Sequence, residues 1–208
     1  MDENVEFEYS IKLLLLGDSC VGKSNFIFRF INNEFNGQHL SSSGIELKST
    51  ELIINNKKLH LQLWDTAGQE KYKSVTKSLF IQVQGFIVMF DLTKEESFTN
   101  VKSWIKSIKD ECGNHASILL VGNKNDLKDL RIISDEEIKE FIDKENIKYI
   151  ETSSKTGENI KKAINIICKE ISERENDENC GRYFSFSLDS IKHSKKKEKK
   201  LLLNSDKS

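Results

Sequence analysis

Short apolar runs alternate with amphipathic segments along the middle of this chain. The segment Ile11–Leu16 is apolar at every position except Lys12, which is typical of a strand buried on both faces of a sheet. Apolar residues then recur at helical spacing from Gly22 to about Asn32. The pattern further predicts five strands, at Glu46–Ile54, Lys57–Asp65, Phe86–Asp91, Ile118–Val121 and Lys148–Glu151, and three helices, at Glu95–Asp110, Ser134–Asn146 and Asn159–Ile171.

Strands that alternate with helices predict an α/β fold with a six-stranded, mostly parallel sheet and helices on both faces. The pair Asn55-Asn56, between the second and third strands, fits a hairpin turn, so one edge strand should be antiparallel. Ser134 and Glu137 fit a capping box. Trp104 lies at helical spacing with its apolar neighbours, and we interpret it as helix core.

Composition narrows the class of protein. The 208 residues carry a formal net charge of −1, which gives no whole-chain basic field, so nucleic acid is not an expected partner. Apolar runs are far shorter than the roughly 18 residues of a membrane helix. The chain divides into an acidic N-terminal extension (1–8), one folded domain (9–173) and a tail (174–208). The tail holds nine basic and six acidic residues, and we expect it to be mostly disordered.

The first motif with clear chemistry follows the first predicted strand. Residues 17–24 fit the pattern G-x-x-x-x-G-K-[ST] and open a predicted helix, which is the context of a phosphate-binding P-loop. Backbone N–H groups of such a loop point at phosphates, and the helix N-terminus adds partial positive charge. We expect Lys23 to reach the β- and γ-phosphates and Ser24 to bind Mg²⁺. The predicted nucleotide-binding residues here are Gly17, Asp18, Ser19, Cys20, Val21, Gly22, Lys23, Ser24 and Asn25.

The second motif, W-D-T-A-G-Q-E, ends the strand Lys57–Asp65. A carboxylate at that position, Asp65, is suited to hold Mg²⁺ directly or through water. Gly68 allows close approach of the backbone to a γ-phosphate, and the amide of Gln69 is suited to orient an attacking water.

Two further segments predict recognition of the base. Asn123-Lys124-Asn125-Asp126 follows a buried strand, and Asp126 is suited to accept hydrogen bonds from guanine N1–H and its exocyclic amine. Adenine offers neither donor, so a site built for guanine would reject it strongly. The segment T-S-S-K follows the last strand, and we expect a backbone N–H near Ser154 to meet guanine O6.

Together these segments resemble the Ras superfamily of small GTPases, over about residues 9–173, and within it the Rab family. The resemblance is carried by Lys12–Ser24, Ser42–Lys48, Leu61–Glu70, Gly122–Leu127 and Glu151–Lys155. It implies the P-loop NTPase small G domain, GTP or GDP with Mg²⁺, and a Rab-like role in vesicle traffic as a monomer in the cytoplasm. It also implies a Mg²⁺-binding hydroxyl at Ser42, stacking of Phe35 on the base, packing of Lys124 along it, and base contacts from Ser153, Ser154 and Lys155.

The resemblance further implies catalysis by Gln69 and Lys23, and two switches, around Gln38–Glu46 and Gly68–Phe80, that meet an exchange factor, a GTPase-activating protein and effectors. Cys20 stands where most Rab proteins have glycine, and Ser42 replaces the usual threonine. Two alternatives stay open. One is a guanine-nucleotide module with little or no hydrolysis. The other is an ATP-dependent phosphotransferase, which the Asn123–Asp126 segment disfavours because it predicts guanine recognition.

The last expectation concerns membranes. No cysteine lies in the last 28 residues, where Rab proteins usually carry lipid, and Asp2 rather than glycine follows Met1. Lys192 and the lysines of 195–200 form a basic cluster before three leucines. Such a cluster by itself holds a membrane weakly. We therefore expect a mainly cytosolic protein with at most reversible, salt-sensitive contact with membrane surfaces.

Overall fold

The computed structural model describes residues 9–35, 37, 45–54, 57–66, 80, 83–113 and 116–175. These residues form six strands and four α-helices. The strands are β1 (Tyr9–Leu16), β2 (Glu46–Ile54), β3 (Lys57–Asp65), β4 (Gly85–Asp91), β5 (Ser117–Asn123) and β6 (Lys148–Thr152). The helices are α1 (Lys23–Asn32), α2 (Glu95–Cys112), α3 (Asp135–Glu145) and α4 (Ile160–Glu175), and a short 3₁₀ helix lies at Lys128–Leu130.

The strands form one sheet in the order β2-β3-β1-β4-β5-β6. Every neighbouring pair is parallel except β2 and β3, which are antiparallel, with Glu46 opposite Asp65. This confirms the predicted α/β fold with a single antiparallel edge strand. The predicted turn at Asn55-Asn56 lies outside the described residues.

The sheet separates two hydrophobic clusters, and the alternation of side chains along β1 explains why. Ile11, Leu13 and Leu15 point to one face, where they pack with α1 and α4. Leu14 and Leu16 point to the other face, where they pack with α2 and α3. Both faces of β1 are therefore covered, which is why its sequence is a nearly continuous apolar run.

The ends of the helices follow local sequence signals. Ser134 caps α3: its hydroxyl accepts from the Glu137 N–H, and the Glu137 side chain accepts from the Ser134 N–H, so the predicted capping box is present. Helix α4 runs four residues past the predicted end at Ile171. Ser172, which interrupts the apolar pattern, is buried and accepts a hydrogen bond from the Tyr9 hydroxyl at 3.2 Å. The first strand and the last helix are thereby joined.

No helix in the described part of the chain is long and apolar enough to cross a bilayer.

Candidate functional site

The loop between β1 and α1 passes close to two neighbouring strands, and its two glycines make this possible. Gly17 has φ of +135°, and a Cβ at this position would lie 2.1 Å from the carbonyl oxygen of Met89 in β4. Gly22 has φ of +104°, and a Cβ there would lie 2.3 Å from the Asn123 Nδ2 atom. Any larger residue would collide at either position, so the pattern G-x-x-x-x-G is fixed by packing as well as by backbone conformation.

Lys23 begins α1 and lies across this loop. Only 4% of the residue is exposed, and its ammonium group donates to the carbonyl oxygens of Gly17, at 2.5 Å, and Asp18, at 2.7 Å. A positive charge is therefore fixed at the start of a helix, inside the loop that the sequence assigns to phosphates. Ser24 and Asn25 follow in the first turn of the same helix.

Asn123 connects this phosphate loop to the far side of the site. It ends β5 and is 1% exposed. Its Nδ2 donates to the Val21 carbonyl at 2.8 Å, and its Oδ1 accepts from the Thr152 hydroxyl at 3.2 Å and from the Ser154 N–H at 3.2 Å. One buried amide thus joins three segments that are far apart in sequence.

The predicted base-recognition residues lie together at the ends of β5 and β6. The Ser153 hydroxyl donates to Asp126 Oδ1 at 2.6 Å and accepts from the Thr156 N–H at 3.0 Å. The Asp126 carboxylate is thereby oriented by a side chain that is itself fixed. A backbone N–H near Ser154 was predicted to meet guanine O6; the N–H of Ser154 itself donates to Asn123 Oδ1 at 3.2 Å.

Lys124 forms an ion pair with a buried carboxylate that the sequence motifs did not identify. Its ammonium group forms a 2.6 Å ion pair with Asp91, which is completely buried at the end of β4. The other oxygen of Asp91 accepts from the N–H of Thr93 at 2.9 Å and from its hydroxyl at 2.7 Å. Lys124 itself has φ of +69°. The lysine chain is therefore fixed at both ends, beside Asn123.

Arg29 ties α1 to the segment after β6. Its Nε donates to the Ser154 carbonyl at 3.0 Å, its Nη1 donates to the Asn33 carbonyl at 2.8 Å, and its Nη2 donates to the Lys155 carbonyl. The guanidinium group thus bonds to the backbone of two residues of the base-recognition segment, Ser154 and Lys155, and to the side chain of neither. Sequence reasoning missed this residue because carbonyl acceptors leave no signature in the sequence.

The acidic end of β3 lies beside the same loop. Asp65 is buried and stands in register with Leu15 of β1, two residues before Gly17. Thr66 follows, and its hydroxyl donates to the Leu15 carbonyl at 2.7 Å. Gly17, Asp65, Asn123 and Ser153 therefore all lie at the carboxyl ends of neighbouring strands, where ligands of open α/β sheets bind.

The remaining predicted residues divide into two groups. Phe35, predicted to stack on the base, is 41% exposed, and Ser19 and Cys20 are also exposed. Cys20 adopts the left-handed conformation, with φ of +66°. The second group lies outside the described residues: Ser42, Gly68 and Gln69.

Comparisons with known proteins agree with this geometry. The model of the Ras family matches residues 12–173. The chain is 40% identical to the GTP-binding protein ypt3 of Schizosaccharomyces pombe over 171 residues, which cover 82% of this chain and 80% of that protein. It belongs to the Ras family.

Two further relatives place it within the family. The chain is 40% identical to human Ras-related protein Rab-27B over 181 residues, covering 81% of this chain and 83% of that protein. It is 39% identical to human Ras-related protein Rab-3A over 176 residues, covering 83% and 79%. This Ras-family protein is therefore a Rab-like, GTP-binding small GTPase.

One contact of this Ras-family protein adds to our interpretation of Trp104. Its ring does pack against the cluster on the α2 side of the sheet, as predicted. However, its indole N–H donates to the Asp18 carboxylate at 3.2 Å, so the residue also contacts the phosphate loop. Helical spacing revealed the partly buried ring but not the partner of its N–H, because Asp18 lies 86 positions away in the chain.

Proposed function

We propose that this protein is a molecular switch that hydrolyses GTP to GDP and, in its GTP form, recruits effectors that act in intracellular vesicle traffic. The observation that carries the nucleotide assignment is the set of hydrogen bonds of Asn123, which joins the phosphate loop to the base-recognition segment. A nucleoside diphosphate or triphosphate has the matching form, with phosphates at one end and a base at the other.

Each described residue then has a chemical task. Lys23 neutralises charge on the β- and γ-phosphates, and the backbone of residues 17–22 surrounds them. Asp126, oriented by Ser153, accepts the two donors on the guanine edge, and Lys124 packs along the base. Phe35 stacks on its face. Because the site offers guanine an acceptor and not a donor, adenine leaves Asp126 unsatisfied.

The residues present also fit Mg²⁺. Ser24 supplies a hydroxyl oxygen and Asp65 a buried carboxylate, which are the hard oxygen ligands that this cation prefers, and we propose Ser42 as a third. Bound there, the ion would neutralise charge on the phosphate oxygens. Gln69 orients the attacking water by its amide, and the two switches meet exchange factors, activating proteins and effectors.

We further propose the domain limits 9–173, flanked by an acidic extension and a mostly disordered basic tail, and a monomer that contacts membranes at most weakly and reversibly. Without a partner that supplies an arginine, we expect slow turnover, on the order of 10⁻⁴ to 10⁻³ per second.

The identity of the nucleotide is tested by denaturing the purified protein and separating what it releases. Guanine nucleotide is expected, and ATP or no nucleotide would contradict the proposal. The Asp126→Asn variant should then lose its preference for GDP over xanthosine diphosphate, because one acceptor oxygen becomes a donor. An unchanged preference would remove Asp126 from base recognition.

Hydrolysis is tested by single-turnover measurement with the parent chain and the Gln69→Leu variant. The variant should hydrolyse GTP more slowly and bind GDP as tightly as the parent, because the amide acts on water and not on the bound nucleotide. Equal rates would remove Gln69 from the mechanism. A parent that binds GTP without hydrolysing it would favour the alternative, a guanine-nucleotide interaction module.

A further inference from the structure

The carboxylate of Asp18 is held by two side chains of α2. The Asn100 side-chain amide donates to its Oδ2 at 2.7 Å, and the Trp104 indole N–H donates to its Oδ1 at 3.2 Å. Asn100 and Trp104 lie four residues apart and therefore on one face of the helix. Both oxygens of the carboxylate have a donor from the same short stretch of α2, and both donors are half-buried.

The backbone of the same residue holds Lys23. The Asp18 carbonyl accepts from the lysine ammonium group at 2.7 Å. Asp18 is thus bonded to α2 through its side chain and to Lys23, the residue assigned to the phosphates, through its backbone. A rotation of this residue would move both contacts together.

The charge of Asp18 also needs to be controlled. A carboxylate in a phosphate-binding loop has the same sign as the ligand, and like charges a few ångströms apart repel. Bonded to Asn100 and Trp104, the carboxylate is directed toward α2, and its charge is partly compensated there by two N–H donors. Released from them, it would be free to turn toward the phosphates.

We propose that Asn100 and Trp104 are positioning residues of the nucleotide site, which hold Asp18 against α2 and thereby keep the phosphate loop and Lys23 in their binding arrangement. This proposal rests on the proposed role of residues 17–24 in phosphate binding. It extends the site to a helix that contributes no residue to any of the sequence motifs.

The test uses the full chain loaded with Mg²⁺ and fluorescently labelled GDP, and measures the dissociation rate of the nucleotide. Trp104→Phe keeps an aromatic ring and removes the N–H, and we expect dissociation at least roughly tenfold faster, as for the loss of one hydrogen bond to a charged group. Asn100→Ala should accelerate dissociation similarly. The matched control is Ser107→Ala in the same helix, whose hydroxyl donates to the Ser103 carbonyl one turn earlier, and its rate should equal that of the parent.

A double-mutant cycle separates positioning from packing. In an Asp18→Ala background, Trp104→Phe should have no further effect on dissociation, because the acceptor of its hydrogen bond is gone. Equal acceleration in both backgrounds would show that the ring acts by packing, and an unchanged rate for Trp104→Phe and Asn100→Ala in the parent background would also overturn the proposal. A parent chain that does not bind labelled GDP would instead overturn the proposed function.

A spectroscopic measurement detects the hydrogen bond directly and does not depend on a rate. The chain has two tryptophans, Trp64 and Trp104, so a spectrum of ¹⁵N-labelled protein shows two indole N–H resonances. The resonance absent from Trp104→Phe belongs to Trp104, and it should shift more than the other one in Asp18→Ala. A shift no larger than that of Trp64 would contradict the bond between Trp104 and Asp18.

Discussion

Asn123→Asp changes one group at the centre of the site and leaves its shape intact. The Oδ1 atom keeps its place, so the hydrogen bonds from Thr152 and Ser154 can persist. The Nδ2 donor becomes an oxygen that faces the Val21 carbonyl at a distance that was 2.8 Å for the hydrogen bond. The link between the phosphate loop and the base-recognition segment is thereby replaced by a repulsion.

The size of the effect follows from the burial of this residue. Loss of the bond removes about 1 kcal/mol, and the unsatisfied, buried Val21 carbonyl adds about 1–3 kcal/mol. With the residue 1% exposed, an ionised carboxylate there is costlier still. When the whole loss of about 3 kcal/mol destabilises the GDP-bound state, GDP dissociates on the order of 100-fold faster.

The sign of the pH dependence distinguishes this explanation from general damage. Burial disfavours the charged form, so it raises the pKa of the introduced carboxyl above the usual value of about 3.9. The protonated form donates to the Val21 carbonyl as the amide did. The defect should therefore be small at low pH and grow as pH rises through the raised pKa.

The assay is dissociation of labelled GDP at pH 5.5 and pH 8, given as the ratio of variant to parent. For Asn123→Asp this ratio should be larger at pH 8. Asn123→Ala, which has no group to titrate, should show a large ratio that does not change with pH. A ratio near one for Asn123→Asp at pH 8, or one that is equal at both pH values, would refute the reasoning.

Three further predictions concern strain, packing and capping. Cys20→Gly should slow GDP release roughly threefold in the same dissociation assay, because it relieves the strain of a side chain at φ of +66°; equal or faster release would contradict this. Gly122→Ala should lower the free energy of unfolding in urea by about 1–3 kcal/mol, because its Cβ would lie 2.5 Å from the Tyr149 hydroxyl oxygen, and Tyr149→Phe in the same background should restore part of the loss. Ser134→Ala should cost about 1 kcal/mol of unfolding free energy at pH 7. Hydrogen bonds from Ser134 lower the pKa of Glu137. The difference in unfolding free energy between the parent and Ser134→Ala should therefore narrow as pH falls and the Glu137 carboxylate becomes protonated. A difference that is the same at pH 7 and pH 3 would exclude a stabilising bond between Ser134 and the Glu137 carboxylate.

The fold was predictable where one local pattern determined one element. Ile11–Leu16 reads as a buried strand because both of its faces are covered, and Ser134 with Glu137 marks the start of α3 without reference to any other part of the chain. The end of α4 was predicted too early because Ser172 is polar. Its partner, Tyr9, lies 163 positions away, and no local pattern reports such a distant hydrogen bond.

The site was predictable as a set of segments but not as a network. The motifs identified Lys23, Asn123 and Asp126 from their spacing and neighbours. They did not reveal Arg29, whose partners are backbone carbonyls, or Asp91, which is completely buried and read as the end of a strand. Contacts of this kind depend on how the strands are ordered in the sheet, and that order emerges only when the chain is folded.

The hydrogen bond between Tyr9 and Ser172 has a consequence for the two ends of the chain. It brings the start of β1 and the last turns of α4 to one place. The eight residues before Tyr9 carry four acidic side chains, and residues 174–208 carry a net charge of +3. Both segments are attached to the fold near this hydrogen bond, so the concentration that one presents to the other depends on the length of chain between them and not on the concentration of the protein. A salt-sensitive attraction between the two ends would therefore be intramolecular, and cutting away either segment would change the charge that the other one meets.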